Sequence, residues 1–99
     1  MKIAIDFDGV ICERTGIPTK KGLGKPMKGA LDAIKLFKKL GHKVWVFTSN
    51  PEPQMVRMWL DKHNFPKIDV RNTKDPAHIY IDDRAVRFTN WQDIRKYIC

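Results

Sequence analysis

The sequence predicts a single α/β domain built on a mostly parallel sheet covered on both faces. Three observations predict it. Short apolar strand-like segments alternate with amphipathic helical ones. The order runs β-α-β-α-β-β-(β)-α, with no repeat and no linker. Three of the strand segments also end in polar, reactive side chains. Residues 1–99 have room for one domain only.

The first segment, residues 2–7, is apolar and ends in carboxylates, Asp6 and Asp8. Residues 11–28 follow as a loop or short hairpin, broken by Gly16, Pro18, Gly22, Gly24 and Pro26 and carrying Lys20, Lys21, Lys25 and Lys28. Over 29–40, Ala30, Leu31, Ala33, Ile34, Phe37 and Leu40 recur at helical spacing. Lys35, Lys38 and Lys39 fall on the other side, where solvation accounts for them, and Gly41 is suited to end the helix.

Residues 43–48 read as a β-branched and aromatic strand. Asn50 is placed to cap a helix and Pro51 to be its first residue. That helix runs to about Asn64 and turns Met55, Val56, Trp59, Leu60 and His63 inward. A short third strand centres on Ile68 and Val70. A fourth covers 78–82 and ends in Asp82 and Asp83. Residues 86–88 offer an edge strand. A last helix over 90–98 sets Trp91, Ile94 and Ile98 inward.

Composition narrows the classes further. The chain is 42% hydrophobic with ten aromatics (three Trp, two Tyr, five Phe), which excludes disorder. Its net charge of +8 favours anionic partners, either phosphorylated small molecules or nucleic acid. Cys12 and Cys99 form no C-x-x-C pair and no disulfide framework, so a cytoplasmic location is expected. No signal peptide and no membrane span are visible. His42, His63 and His78 are scattered, which argues against a histidine metal site.

The strand ends carry the chemistry. They are Asp6-Phe7-Asp8-Gly9, then Thr48-Ser49-Asn50, then Asp82-Asp83-Arg84. In open α/β sheets, ligands bind at the carboxyl ends of the strands near the switch in strand order. If these strands are neighbours, several carboxylates converge and repel one another unless a cation sits among them. Their hard oxygens suit Mg²⁺. Taken singly, each piece has an ordinary reading: an Asp-capped turn, a solvated acidic pair, a helix start, a loop lysine at Lys74 and a surface ion pair at Arg84.

Ile-Ala-Ile-Asp6-Phe-Asp8-Gly9-Val10 resembles the first motif of the haloacid dehalogenase superfamily of phosphatases and phosphotransferases. Val-Trp-Val-Phe-Thr48-Ser49-Asn50 resembles the second. Lys74 stands where a third-motif lysine falls, with Lys62 and Lys67 as competitors. Ile79-Tyr-Ile-Asp82-Asp83 resembles the fourth.

The resemblance implies a Rossmann-like three-layer sandwich. It also implies Mg²⁺-dependent hydrolysis of a phosphomonoester: a phosphorylated metabolite, a nucleotide or a polynucleotide end. Asp6 would be the nucleophile and form an aspartyl-phosphate. Asp8 would protonate the leaving oxygen, then help to activate water, its carbonyl meeting the metal. Thr48 would hold the phosphoryl group, with backbone amides near Ser49 and Asn50. Lys74 would steady the transferring charge. Asp82 would complete the metal shell, and Asp83 would act through water or by orienting Lys74. Arg84 would contact substrate.

About 40 residues separate Asp8 from Thr48, too few for a cap domain. The chain therefore resembles a capless member with an open site. Residues 12–28 are the one candidate lid, and a second subunit is the other way to cover the site. Two other classes stay open. One is a phosphoacceptor receiver-like module, although the order of its acidic pair and lysine differs and Asp69 would have to take the phosphate. The other is a basic nucleic-acid-binding protein, although no recognition signature is visible.

Overall fold

The structure, a computed structural model, describes residues 1–13, 23–83, 90–92 and 95. Its elements are β1 (Lys2–Asp6), α1 (Ala30–Lys39), β2 (Lys43–Phe47), α2 (Pro53–Lys62), β3 (Asp69–Arg71) and β4 (Ile79–Ile81). The four strands form one sheet in the order β3-β2-β1-β4, and every pairing is parallel. The α/β class with a parallel sheet is therefore present as expected.

Burial of both residue parities explains the continuous apolar runs. Ile3, Ala4 and Ile5 of β1 are all buried, as are Trp45 and Val46 of β2. A strand covered on both sides cannot alternate apolar with polar. On one face, Ile3, Ile5, Val46 and Val70 join Ile34 of α1 with Val56, Trp59 and Leu60 of α2 in a single core. Both crossover helices thus lie on the same face, the outcome of two successive right-handed β-α-β units.

The opposite face carries Ala4, Trp45, Phe47, Arg71 and Tyr80, by the strand register. There the expectation of helices on both faces is not met by the described residues. What crosses this face is the β3–β4 connection, residues 72–78. Its Lys74 ammonium stands over the Phe47 ring of β2, and its Asp75 is bonded to Arg71 of β3 and Tyr80 of β4. The expected edge strand over 86–88 lies outside the described residues, as does most of the final helix. Trp91, expected inward, is 71% exposed.

Local chemistry sets the element ends. Gly41 sits at φ +84°, the left-handed conformation that closes α1 at little cost. Leu40, expected in the core, is 62% exposed because it falls at the cap, beyond the last turn that faces the sheet. Helix α2 starts at Pro53, two residues later than expected. The Asn50 side chain does not cap the helix. Its Oδ1 accepts the Glu52 N–H at 2.9 Å, a local turn that delays the first helical residue. Met55, at the start of α2, is likewise 42% exposed.

The loop after β1 is a hairpin at its base. Glu13 N–H donates to the Lys25 carbonyl at 2.8 Å, and Met27 N–H to that of Ile11 at 2.7 Å. Cys12 pairs with Pro26 across this neck. Trp59 fastens it to α2, with Nε1 donating to the Gly24 carbonyl at 3.0 Å. Among the described residues, no helix is long and apolar enough to cross a membrane.

Candidate metal and phosphate site

Strand order reverses between β1 and β4: the chain steps outward from β1 to β2 to β3, then returns to place β4 on the other side. That switch point leaves a crevice at the carboxyl ends of the two strands. Asp6 is the last residue of β1, and Asp82 and Asp83 directly follow β4. One carboxylate oxygen from each lies within 4.8 Å of the others.

Asp82 and Asp83 act on Asp6 as like charges. The pKa of Asp6 is raised from 3.8 to about 6. Burial is the largest cause, followed by the charge of Asp82, with smaller contributions from Asp8 and Asp83; the Phe7 N–H, donating to Asp6 Oδ1 at 3.0 Å, opposes them. The donors fit a hard divalent cation. Six-coordinate Mg²⁺ with bonds of about 2.1 Å sets adjacent ligands about 3.0 Å apart and opposite ones about 4.2 Å, so the three oxygens would draw together around it. Asp6, Asp82 and Asp83 could together hold such an ion.

Asp8 is not one of the three, although its charge reaches Asp6. A tight turn redirects the chain there: Ile11 and Cys12 N–H both reach the Phe7 carbonyl at 3.0 Å, and Gly9 N–H reaches that of Cys12 at 2.8 Å. Gly9 takes φ +81°, which a side chain would strain. The two acids of the first segment thus occupy different surroundings. Cys12 beside them is a buried free thiol, and burial pushes its pKa up to about 11.

At the end of β2, Thr48 is fully buried. Its N–H donates to the Arg71 carbonyl at 2.9 Å, and its Oγ1 accepts the Asn50 N–H at 3.0 Å. Thr48 therefore builds the turn rather than facing solvent, and the Asn50 amide, expected to face a phosphoryl group, is engaged with it. Ser49, between them, is exposed.

Strand polarity separates the three candidate lysines. Lys62, in the last turn of α2, and Lys67, just before β3, lie at the end of the sheet opposite Asp6. Lys74 follows β3 on the acidic side. Its Nζ is 5.9 Å from the Phe47 ring centroid, and Phe47 is the register partner of Asp6. It forms no ion pair with Asp6. Arg84 lies outside the described residues.

Sequence reasoning missed Arg71 and Asp75. The Arg71 guanidinium lies 4.2 Å from the centroid of the Trp45 ring and bonds Asp69 at 2.9 Å and Asp75 at 3.0 Å. The Arg–x–x–x–Asp spacing around Lys74 was the available signal. Asp69, the residue a receiver-like module would phosphorylate, begins β3 and pairs with Arg71 and, at 3.7 Å, with Arg57. An open groove of about 620 Å³ lies between α2 and β3, lined by Arg57, Leu60, Asp61, Pro66, Lys67, Ile68 and Asp69. Among the described residues, the cluster of three carboxylates lies not in this groove but at the strand ends.

No protein-family model matches the sequence, and no curated protein matches it. A solved structure described as a conserved protein coded by a locus from Bacteroides thetaiotaomicron is similar, with a TM-score of 0.69 and 22% identity over 99% of this chain and 88% of that one. At that identity the likeness shows the fold.

Proposed function

We propose that the protein is a Mg²⁺-dependent phosphomonoesterase working through an aspartyl-phosphate on Asp6. The observation that carries this reading is the meeting of the Asp6, Asp82 and Asp83 oxygens within 4.8 Å at the switch point. Bound Mg²⁺ would neutralise this charge and that of the transferring phosphoryl group.

The residues act as follows. The Asp6 carboxylate attacks phosphorus in line, and the ester P–O bond breaks as the acyl-phosphate bond forms. Asp8 gives its proton to the leaving oxygen. It then takes one from water, whose oxygen attacks phosphorus and releases phosphate and free Asp6. The division of labour needs two carboxyls in unlike settings, and the Gly9 turn supplies them. Thr48 holds the turn that presents Ser49 to the substrate. Lys74 offsets charge on the phosphoryl oxygens. Substrates are phosphorylated metabolites, nucleotides or polynucleotide ends, which suit a chain of net charge +8.

The test is hydrolysis of p-nitrophenyl phosphate with Mg²⁺ or EDTA, by wild type and Asp6→Asn. Activity that is abolished by both EDTA and the substitution is expected. Activity surviving both would overturn the mechanism.

A further inference from the structure

We propose that Arg71 and Asp75 are positioning residues that hold Lys74 above the acidic end of the sheet. The inference rests on the phosphoryl-transfer reading of that end, and it explains how a lysine on a connecting loop is kept in place.

Lys74 is flanked by two tied residues. The Asp75 carboxylate is bonded through both oxygens: Oδ2 accepts from Arg71 Nη1 at 3.0 Å, and Oδ1 accepts the Thr73 hydroxyl at 3.1 Å. Its backbone is held as well, its N–H donating to the Thr73 carbonyl at 3.2 Å and its carbonyl accepting the Tyr80 hydroxyl. Arg71 is in turn fixed on a second and a third side. Its Nε bonds Asp69 Oδ2 at 2.9 Å, and its plane lies over buried Trp45. The loop is thus stapled to β3 through Arg71 and to β4 through Tyr80, and Arg71 is itself seated on Trp45 of β2.

What these contacts fix is the residue between them. Phe47, Arg71 and Asp6 share a register row and a sheet face, so a cation held over Phe47 stands over the row that Asp6 completes. A lysine side chain has large rotamer entropy, and a loop adds backbone freedom. Fixing the backbone on both sides removes the second cost before substrate arrives. The contacts on Arg71 need a planar fork with separate donors, which lysine cannot supply.

The experiment uses the full chain with Lys74→Ala, Asp75→Asn, Arg71→Lys and the double variant Lys74→Ala/Asp75→Asn. Two readouts are taken: amide hydrogen exchange over 72–78, and the dissociation constant for inorganic phosphate in Mg²⁺. Exchange over 72–78 should rise at least about ten-fold in Asp75→Asn and in Arg71→Lys, with β1 and β2 unchanged. Phosphate should bind about ten-fold more weakly to Lys74→Ala and to Asp75→Asn, and the double variant no more weakly than Lys74→Ala.

Unchanged exchange over 72–78 in Asp75→Asn and Arg71→Lys would overturn the positioning without reference to any activity. Additive losses in the double variant would also overturn it, and would leave the phosphatase reading standing. Phosphate affinity insensitive to Lys74→Ala beside raised exchange would remove Lys74 from the phosphatase reading, and with it the purpose assigned to Arg71 and Asp75.

Discussion

Asp82 supplies the largest charge contribution to the raised pKa of Asp6, second only to burial. The two carboxylates close neighbouring parallel strands, so the fold itself forces like charges together. Proteins tolerate such crowding where the charge is used, and the predictions begin there.

The first concerns pH in the metal-free protein. A carboxyl whose pKa is raised on folding binds its proton more tightly in the folded chain. Stability should therefore rise as pH falls from about 6 towards 3.8, with the penalty fully present above 6. Asp6→Asn removes that slope. Solvent screening at this half-buried position limits the gain at pH 7 to about 1 kcal/mol, which is roughly 4–8 °C in Tm for a domain of this size. Thermal melts in EDTA at pH 5 and pH 7.5 check it. An Asp6→Asn protein that melts at or below wild type at pH 7.5 would contradict it.

Metal should reverse the penalty. A ligand that binds only the folded state adds about 2.7 kcal/mol at a hundred times its Kd. Mg²⁺ is expected to raise Tm, and Asp82→Asn or Asp83→Asn to remove most of the rise. A Mg²⁺ shift that persists in both variants points to binding elsewhere.

Thr48→Val keeps the shape of the β2 end and deletes the acceptor of the Asn50 N–H. The expected cost is about 1–3 kcal/mol in urea unfolding, with phosphatase activity lost as the Ser49 turn slackens. Thr48→Ser keeps the acceptor and should restore most of both. Equal behaviour of the Val and Ser variants would show that the hydroxyl does no work.

Trp59→Phe tests the loop neck. Phenylalanine preserves packing against Phe7, whose ring meets Trp59 edge-on with centroids 5.0 Å apart, but cannot donate to Gly24. A loss of about 1 kcal/mol is expected, with faster exchange at the Glu13 and Met27 amides. Protection at those amides equal to wild type would mean the neck closes without Trp59.

Much of the fold was legible because it rests on local patterning. Apolar runs such as Ile3–Ile5 announce strands buried on both faces, and Gly41 marks the end of α1. The acidic trio was legible because each member ends a strand, and parallel strands put their ends together. What the sequence concealed were choices between equivalent local chemistries. Asn50 is as able to bond Glu52 in a turn as to cap a helix, and Leu40 keeps its helical phase one residue past the last inward turn. Thr48 looks like a ligand-facing hydroxyl until its carbonyl and amide neighbours draw it inside. Arg71 and Asp75 carry no motif of their own, and their meaning arises only when residues 72–78 cross the sheet.

The neck between Ile11–Glu13 and Lys25–Met27 has a consequence for how such a protein can change. Its backbone bonds close before the chain re-enters the core, so residues inserted between Glu13 and Lys25 would strain neither β1 nor α1. Lengthening such a closed loop costs little, about 0.6 kcal/mol for each doubling. The neck is therefore a grafting point, at the same end of β1 as the acidic crevice, where a recognition module can be gained or discarded while the sheet stays as it is.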